Sequence, residues 1–340
     1  MINRTQEDIM KNWNMSEIDT PLVSVKCMTY NQEKYIGQCI DGFLMQKTSF
    51  PFEILIHDDC STDNTTDIVL AYAKKFPKII KPILEDENQY SKHDGSHHKK
   101  IDAAIKGKYI ALCEGDDYWI DENKLQMQVD FLEGNPDYGM CYTKSKQYNQ
   151  SMQKFNKKSI GADFDGFEDL FKNGNRIPTL TTVYRKDLLD KYQKEIQPSN
   201  KGWLMGDYPM WLYFSHESKV KFFDKTTAVY RVLENSASHS VDVEKQFRFN
   251  KNIYNIREFY SKRFDISIEE RDDEKELFYI YYRKNIKRYS SKNCIEMKNC
   301  LKRIKFKTKK EYIVSYVCGN RLFFILFRLF VSLFNWVKKC

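Results

Sequence analysis

The most informative absences in this 340-residue chain concern the side chains that hold structural zinc. Nine cysteines are scattered along the sequence, and they form no CxxC pair and no cysteine–histidine cluster at zinc spacing. His93, His97 and His98 fall close together, but they occupy a polar segment without a supporting cysteine. We therefore expect no zinc site, and we expect the cysteines to be reduced, buried thiols of a cytosolic protein.

Two segments near the start of the chain lack signals that would indicate other protein classes. Residues 1–20 are polar and contain no apolar run, so we expect no secretory signal peptide and treat them as an N-terminal extension. The turn after the first predicted strand reads Thr-Tyr-Asn-Gln-Glu, with no glycine before Gly37. A nucleotidyltransferase would need a glycine-rich phosphate loop there, so the sequence argues against that class.

Positive charge is concentrated in one segment of a chain whose formal net charge is +8. Between residues 283 and 310, twelve lysines and arginines face a single acid, Glu296, and we assign residues 241–312 to a basic helical extension. Such a block predicts a polyanionic partner, either anionic membrane headgroups or nucleic acid. Because no base-stacking motif or reading helix accompanies the charge, we expect an anionic membrane surface and no nucleic acid.

The last segment, residues 313–340, is strongly apolar but carries a polar stripe. At 3.6 residues per turn, five polar side chains fall on one narrow face, namely Arg321, Arg328, Ser332, Asn335 and Lys339. In a spanning helix the two arginines would cost roughly 2.5 kcal/mol or more each at the bilayer centre. We therefore favour an amphipathic helix in the membrane interface, with a packed helix and a spanning helix as alternatives.

Segments of strand length alternate with helix-like segments over the first two thirds of the chain. The predicted strands cover residues 22–28, 52–56, 79–84, 109–113, 138–143, 179–184, 219–223 and 226–232. The predicted helices cover residues 33–46, 62–76, 99–105, 123–133, 186–192 and 208–214. This alternation is typical of an α/β fold, with a mostly parallel sheet flanked by helices, which we place at residues 21–240.

Two of the predicted strands end in clusters of acidic residues. Asp58 and Asp59 follow the second strand, and Glu114, Asp116 and Asp117 follow the fourth. Open α/β sheets bind ligands at the carboxyl ends of their strands, so the two clusters should share one crevice. Because hard divalent cations prefer carboxylate oxygens, the sequence predicts a crevice for a nucleotide and a divalent metal ion.

Each acidic cluster also has a simpler interpretation. Asp58 or Asp59 could cap the N-terminus of the following helix, although a cap requires only one acid. The second cluster could be an acidic turn on the surface, although the apolar strand of residues 109–113 leads directly into it.

Several ordered motifs resemble those of the inverting family 2 glycosyltransferases, which have the GT-A fold. In chain order they are Val23-Ser24-Val25, Thr29-Tyr30-Asn31-Gln32-Glu33-Lys34-Tyr35-Ile36, Asp58-Asp59-Cys60-Ser61-Thr62-Asp63, Gly107-Lys108-Tyr109-Ile110 and Glu114-Gly115-Asp116-Asp117. The resemblance covers roughly residues 20–235. It implies transfer of a hexose from a UDP-sugar to a hydroxyl group with inversion, and glucose or galactose is what this family uses most often.

The resemblance also implies which residues bind the nucleotide. It places the residues of the first turn on the base and ribose, namely Thr29, Tyr30, Asn31 and Glu33. It implies that Asp59 or Asp58 accepts a hydrogen bond from the N–H of the uracil. It also implies that Arg231 contacts the diphosphate or the metal. Lys100, which precedes the fourth strand, could neutralise a phosphate, with a solvated surface position as the alternative.

The second acidic cluster stands where this family has its DxD motif. The resemblance therefore implies that Asp116 and Asp117 hold Mg²⁺ or Mn²⁺, which would stabilise the charge on the departing UDP. Glu114 replaces the more common aspartate and could instead meet the ribose or a water ligand. His239, in the closing loop, is a further candidate metal ligand, with a solvated position as the alternative.

The segment Trp203–Leu212 resembles a later acidic motif of the family, in which an aspartate opens a helix beneath the acceptor. The resemblance makes Asp207 the general base that takes the acceptor proton, with helix capping as its alternative role. The expected acceptor is a lipid-diphosphate-linked saccharide of capsule or O-antigen synthesis. The protein would then be peripheral, on the cytoplasmic face of the inner membrane.

A second hypothesis belongs to a different functional class. The chain could keep the GT-A fold without catalysis and bind a membrane or a polyanion through its basic C-terminal region. That hypothesis depends on the charge between residues 283 and 310 and makes no use of the acidic clusters.

Overall fold

The computed structural model describes residues 3–14, 16, 19–92, 94–233 and 243–266. The strands in this part of the chain are β1 (Val23–Thr29), β2 (Phe52–Asp58), β3 (Ile80–Leu84), β4 (Tyr109–Leu112), β5 (Tyr118–Trp119), β6 (Tyr138–Asn149), β7 (Lys154–Phe155), β8 (Val183–Arg185) and β9 (Lys219–Val232). The helices are α1 (Gln6–Met10), α2 (Ile36–Leu44), α3 (Thr65–Lys75), α4 (Lys99–Ala104), α5 (Lys124–Gly134), α6 (Gly166–Asn173), α7 (Lys186–Ile196), α8 (Asp207–Glu217) and α9 (Val243–Phe264). The chain divides into two units, Met1–Glu234 and Asn235–Cys340.

The strands of the first unit form one mixed sheet with the order β3-β2-β1-β4-β8-β6-β9-β5, and β7 pairs with β6. Strands β1 to β4 are parallel to one another. Because β8 is antiparallel to both β4 and β6, and β9 is parallel to β6, the strands β6 and β9 also point the same way as β1. Six strands therefore end along one side of the sheet, which we call the carboxyl edge.

The main apolar core joins α2, α3 and α5 to alternate positions of the strands. Along β1, Val23, Val25 and Cys27 belong to this core, whereas Ser24 and Lys26 point to the opposite face. On that face Lys26 forms an ion pair with Asp102 of α4. Every position of β2 is buried, as expected for a parallel strand covered on both faces.

The N-terminal segment packs into the core of the first unit, whereas the sequence predicted an extension. Ile9 and Met10 of α1 are buried, and so is Trp13. The Trp13 ring meets Phe52 edge-on at 5.0 Å between centroids, and its Nε1 donates to Thr48 Oγ1 at 2.9 Å. Arg4 adds hydrogen bonds to the carbonyls of Leu44, Met45 and Gln46, so apolar and polar side chains together anchor the segment.

The structure confirms an α/β fold flanked by helices and differs from the sequence prediction in its second half. The two predicted closing strands form one strand, β9, in which Asp224 and Lys225 are extra residues between the pairs Thr143–Phe223 and Lys144–Thr226. The strand predicted at 179–184 is shorter and begins later, as β8 (Val183–Arg185), because Thr179–Thr181 forms a short 3₁₀ turn. Strands β5 and β7 and helices α1 and α6 were not predicted.

The predicted helical extension is confirmed for α9, the element that the structure describes in the second unit. Among the described helices, none combines the length and the apolar character that crossing a bilayer requires. The basic segment 283–310 and the amphipathic segment 313–340 lie outside the described residues, and so do His93 and His239.

Candidate active site

The turns after β1 and β2 lie side by side at the carboxyl edge and are cross-linked by hydrogen bonds. The main-chain N–H of Asn31 donates to Ser61 Oγ at 2.9 Å, and Asn31 Oδ1 accepts from the N–H of Thr62 at 2.7 Å. Glu33 Oε2 accepts from the N–H of Asn64 at 3.1 Å. Asn31 and Glu33, which were predicted to bind base and ribose, thus use their side chains to fix the neighbouring turn.

The loop after β4 packs directly on the first turn. Gly115 donates its main-chain N–H to the carbonyl of Met28 at 2.9 Å. A Cβ atom at Gly115 would lie 2.4 Å from Gln32 Oε1 and 2.9 Å from Thr29 Oγ1, so any other residue here would displace these side chains. Thr29 itself is buried and donates to Gln32 Oε1 at 2.7 Å, whereas the neighbouring Tyr30 presents an exposed ring.

Both acids that follow the second strand are buried and hydrogen-bonded within the protein. The Asp58 carboxylate accepts from the hydroxyl groups of Ser61 and Thr66, and it does not cap α3, whose capping residue is Asn64. The Asp59 carboxylate accepts from the main-chain N–H groups of Gln89 at 2.7 Å and Tyr90 at 3.0 Å. Asp59 therefore anchors the loop after β3 to the carboxyl edge.

Lys100, a predicted phosphate contact, is already paired with an acid. Its Nζ lies 2.5 Å from Glu85 Oε2, and Glu85 Oε1 lies 3.0 Å from His57 Nε2. Burial acts to raise the pKa of Glu85, but the hydrogen bonds from Lys100 and His57 outweigh it and lower that pKa. The charge of Lys100 thus balances a buried carboxylate in this structure.

Arg231 holds the second acidic cluster against the rest of the sheet. Its main-chain N–H donates to Asp117 Oδ1 at 2.7 Å, and its guanidinium group donates to the carbonyl of Asp116. Asp117 is only 2% exposed, so one of its oxygens is committed to β9 in a buried position. Of these two acids, Asp116 keeps the more accessible carboxylate.

The guanidinium group of Arg231 is itself enclosed by α2 and β5. It donates to Gln38 Oε1 and lies over two aromatic rings, 4.9 Å from the centroid of Tyr35 and 4.6 Å from that of Tyr118. Arginine suits this position because its planar group stacks and donates in several directions at once. These contacts assign Arg231 a supporting role beneath the acidic loop, and its predicted diphosphate contact stays a prediction.

Glu114 and Asp116 are partly buried residues in surroundings that disfavour the negative charge of their carboxylates. Burial, the charge of Asp116 and the charge of Asp207 raise the pKa of Glu114 to about 7, with Lys26 acting in the opposite direction. Burial likewise raises the pKa of Asp116, although Arg231 acts to lower it. Both carboxyl groups are therefore harder to ionise than in solution, because they are buried and because Glu114 lies among other acids.

Asp207 is the first residue of α8, and its charge contributes to the raised pKa of Glu114. Asp207 Oδ1 accepts from the N–H of Tyr208 at 2.7 Å, and Oδ2 accepts from Thr179 Oγ1 at 3.0 Å. Gly206 occupies the capping position, without a side-chain hydrogen bond to the helix. Because Thr179 belongs to the turn whose Thr182 carbonyl accepts from Leu112 of β4, the fold ties Asp207 to the strand that carries Glu114, although the two acids are far apart in the sequence.

Three residues near these acids were missed by sequence reasoning. Thr179 and Asn175 contact Asp207 Oδ2 at 3.0 and 3.5 Å, across 28 and 32 residues of chain, and no local pattern marks them. Lys26 could have been found, because a lysine in the middle of an apolar strand is unusual and requires a partner.

The acids after β4 fit a divalent cation that takes further ligands from a substrate. Among the described residues, no group of three or more histidine, cysteine, aspartate or glutamate side chains could hold a metal ion. Mg²⁺-type sites commonly use one or two carboxylates together with substrate phosphates. Asp116, with Glu114 beside it, offers such an incomplete set of hard oxygen ligands.

The model of the glycosyl transferase family 2 matches residues 24–193, which is half of the chain. The chain belongs to glycosyl transferase family 2. The matched segment contains both acidic clusters and Thr179, and it ends before Asp207. The family resemblance inferred from the motifs is therefore confirmed.

Individual relatives agree with this membership. The chain is 32% identical over 226 residues to an uncharacterized protein of Mycobacterium tuberculosis, covering 66% of this chain and 62% of that protein's length. It is 28% identical over 204 residues to the Escherichia coli UDP-Glc:alpha-D-GlcNAc-diphosphoundecaprenol beta-1,3-glucosyltransferase WfgD, covering 60% and 73% of the two chains.

A solved structure with the same fold is the S. aureus TarS fragment 1–349 in complex with UDP. Its TM-score is 0.51 with 18% sequence identity, and the match covers 82% of this chain and 78% of that fragment. The likeness confirms the GT-A type of fold.

Proposed function

We propose that this family 2 glycosyltransferase transfers a hexose from a UDP-sugar to a hydroxyl group of a lipid-diphosphate-linked saccharide, with inversion. The observation that carries the proposal is that Asp207 binds the hydroxyl of Thr179, in the short turn whose Thr182 carbonyl accepts from Leu112 at the end of β4. A candidate base is therefore tied to the strand that carries the acidic loop. The name of the WfgD relative, which describes a UDP-glucose donor and a diphosphoundecaprenol-linked acceptor, supports the substrate classes.

The chain's own residues supply a base for a single displacement. The acceptor oxygen bonds to the anomeric carbon as the bond to the UDP oxygen breaks, and the hydroxyl proton passes to Asp207. The hydroxyl of Thr179 and the N–H of Tyr208 orient the Asp207 carboxylate. Approach from the face opposite the leaving group inverts the configuration at that carbon.

The proposal includes a Mg²⁺ or Mn²⁺ ion at the acidic loop, with Asp116 as its main protein ligand. Such an ion stabilises the negative charge of a departing diphosphate. Asp117 has one oxygen bound to Arg231, so only its other oxygen is open to an ion. Glu114 is suited to a water ligand or to the ribose.

The finer features of the proposal come from the sequence. Glucose or galactose is the expected sugar, and capsule or O-antigen synthesis the expected setting. Peripheral attachment to the cytoplasmic face of the inner membrane follows from the basic segment 283–310 and the amphipathic segment 313–340.

The test uses the full chain with UDP-glucose, UDP-galactose and UDP-N-acetylglucosamine, Mg²⁺ or Mn²⁺, and an N-acetylglucosamine-diphosphate lipid. We expect one donor to give UDP release and a lipid product one sugar heavier in mass spectrometry. The anomeric configuration of that product, measured by NMR, should be opposite to that of the donor. Absence of product with every donor in such a panel would reject the proposal.

A pair of variants tests the base. Asp207→Asn should lower turnover by about a hundredfold or more, because it removes the proton acceptor. Its affinity for UDP, measured by calorimetry, should be unchanged. Asp137→Asn is the matched control, since Asp137 is an exposed acid paired with Lys219, and it should leave turnover unchanged. Normal turnover by Asp207→Asn would exclude Asp207 as the base.

A further inference from the structure

The end of β6, the turn after it, β7 and the residues that follow form a projection that we call the basic hairpin, residues 144–160. It contains five lysines and no acidic residue, namely Lys144, Lys146, Lys154, Lys157 and Lys158. Lys144 forms an ion pair with Asp224 of β9. No carboxylate in the described part of the chain pairs with the other four, so the hairpin carries a local excess of positive charge.

Two large apolar side chains stand among these lysines. Met152 is 63% exposed, the largest exposed fraction of any large apolar side chain in the described residues, and Phe155 is 51% exposed. The Phe155 ring meets Tyr148 edge-on at 5.0 Å, and Lys146 Nζ lies 5.8 Å from its centroid. The hairpin therefore exposes two large apolar side chains to water in a short segment that also carries the unpaired lysines.

The turn that presents Met152 is well defined. Asn149 Oδ1 accepts from the main-chain N–H of Met152 at 2.8 Å and from Ser151 Oγ at 3.0 Å. The N–H of Asn156 donates to the carbonyl of Gln147 at 2.8 Å, which closes the hairpin. The apolar tip is therefore held in place by the fold.

The basic hairpin is at the same side of the sheet as the acidic loop. Tyr148 of β6 lies opposite Arg231 of β9, and the N–H of Arg231 binds Asp117. Because β6 points the same way as β1, its end and the turn after it lie at the carboxyl edge. A flat surface that contacted the hairpin tip would therefore approach the sheet from the side of the candidate active site.

We propose that the basic hairpin docks on an anionic lipid bilayer, with Met152 and Phe155 entering the interface and the unpaired lysines among the headgroups. Lysine next to aromatic and apolar side chains is typical of interfacial membrane contacts, and long lysine side chains reach the headgroups from a shallow depth. Nucleic acid would match the charge but would leave the exposed Met152 without a partner.

The docking of the hairpin does not depend on the basic C-terminal region. It would orient the enzyme on the membrane surface. With the carboxyl edge toward the lipid, a sugar carried on a lipid diphosphate would approach from the side of the acidic loop. This part of the inference rests on the proposed function, whereas binding of the hairpin to lipid does not.

Hydrogen–deuterium exchange of the full chain provides a localised test. The probes are vesicles of pure phosphatidylcholine and vesicles in which about one third of the lipid is phosphatidylglycerol. We expect the amides of residues 149–158 to exchange several-fold more slowly with the anionic vesicles only. Because each peptide is measured separately, protection of the hairpin is distinguished from any protection between residues 283 and 340.

Two variants separate the apolar from the electrostatic part of the contact. One variant combines Met152→Ser with Phe155→Ser, and the other combines Lys154→Glu, Lys157→Glu and Lys158→Glu. Each variant should raise the concentration of anionic lipid that gives half-maximal protection of the hairpin by roughly tenfold or more. The control is Leu70→Ser with Lys74→Glu on α3, where Leu70 is 42% exposed, and it should bind like the wild type. Circular dichroism checks that all three are folded.

Three outcomes would overturn the proposal. They are no protection of residues 149–158 by anionic vesicles, unchanged protection in both hairpin variants, and protection by duplex DNA or RNA without protection by lipid. Both hairpin variants should also keep full turnover on a water-soluble, short-chain acceptor. If no sugar transfer occurs while the hairpin is protected, the proposed function fails and the docking stands.

Discussion

The main-chain N–H of Arg231 donates a 2.7 Å hydrogen bond to Asp117 Oδ1, joining the end of β9 to the acidic loop after β4. The two residues are 114 positions apart in the sequence. Burial, the charge of Asp116 and the charge of Glu114 raise the pKa of Asp117 well above its usual range. This contact therefore fixes the loop that carries Asp116, at the cost of burying an acid.

Asp117→Ala should destabilise the protein more than Asp117→Asn. The alanine variant leaves the N–H of Arg231 buried without an acceptor, which should lower the free energy of unfolding by about 1–3 kcal/mol. The asparagine variant keeps a side-chain oxygen and resembles the protonated acid, so its free energy of unfolding should fall by clearly less. Urea denaturation followed by circular dichroism measures both, and equal losses would show that the hydrogen bond does not matter.

Thr179→Val should reduce turnover through the position of Asp207. The hydroxyl of Thr179 is 3.0 Å from Asp207 Oδ2, and without it the carboxylate can rotate away from the acceptor. We expect kcat to fall by roughly tenfold to a hundredfold, with the KM for the UDP-sugar nearly unchanged. Thr179→Ser keeps the hydroxyl and should restore most of the rate, so equal defects in the two variants would contradict a positioning role.

Asp116→Asn should weaken the metal dependence of the reaction. The change replaces the carboxylate of Asp116, which is more exposed than the buried Asp117, with a neutral amide. The Mg²⁺ or Mn²⁺ concentration that gives half the maximal rate should rise by about tenfold or more. Titration of Mn²⁺ into the UDP-bound protein gives an independent readout. The exposed control Asp137→Asn should behave like the wild type, and an unchanged metal titration for Asp116→Asn would remove Asp116 from the metal site.

Lys124→Met should stabilise the protein at neutral pH. Lys124 is fully buried, and its Nζ lies 4.2 Å from the centroid of the Trp119 ring without a hydrogen-bond partner among the described residues. Burial lowers the pKa of Lys124 to about 7, whereas in the unfolded chain it is about 10.4. Methionine avoids the burial of an ammonium group, and we expect a gain of roughly 1–4 kcal/mol at pH 7.

The same lysine predicts a pH dependence with a definite sign. Between about pH 7 and pH 10.4 the unfolded chain binds a proton that the folded protein does not, so wild-type stability rises with pH. The advantage of Lys124→Met should accordingly shrink toward pH 10.4. Thermal unfolding across this range measures the effect, with the exposed Lys47→Met as control. If the stability difference between Lys124→Met and the wild type grew with pH, that result would contradict burial of a neutral Lys124.

The parallel half of the sheet was predictable because its elements are continuous in the sequence. Strands β1 to β4 and the helices between them were expected within a few residues of where they lie. The later strands were harder, because β5 and β7 have only two residues each and owe their pairing to β9 and β6. A strand that short carries no periodicity of its own.

The candidate site was predictable as a set of residue types and not as a set of contacts. The acids after β2 and β4 were found because each follows an apolar strand. The different roles of these acids were not predictable from the sequence. In the structure Asp58 and Asp59 bind neighbouring loops, whereas Asp117 binds β9. No sequence pattern marks Thr179 as a site residue, because what sets it apart is its hydrogen bond to Asp207, which only the fold creates.

The sequence by itself determined the family and the edge at which the acids gather, because strand ends and motif order are local properties of the chain. Only the tertiary structure decided which carboxylates are bound within the protein, as Asp117 is by Arg231 from 114 positions away. The reason is that hydrogen bonding and desolvation act through space, and proximity in space is created by folding. The exposed tip of the basic hairpin was likewise decided by the fold, which buries most apolar side chains and leaves Met152 in solvent.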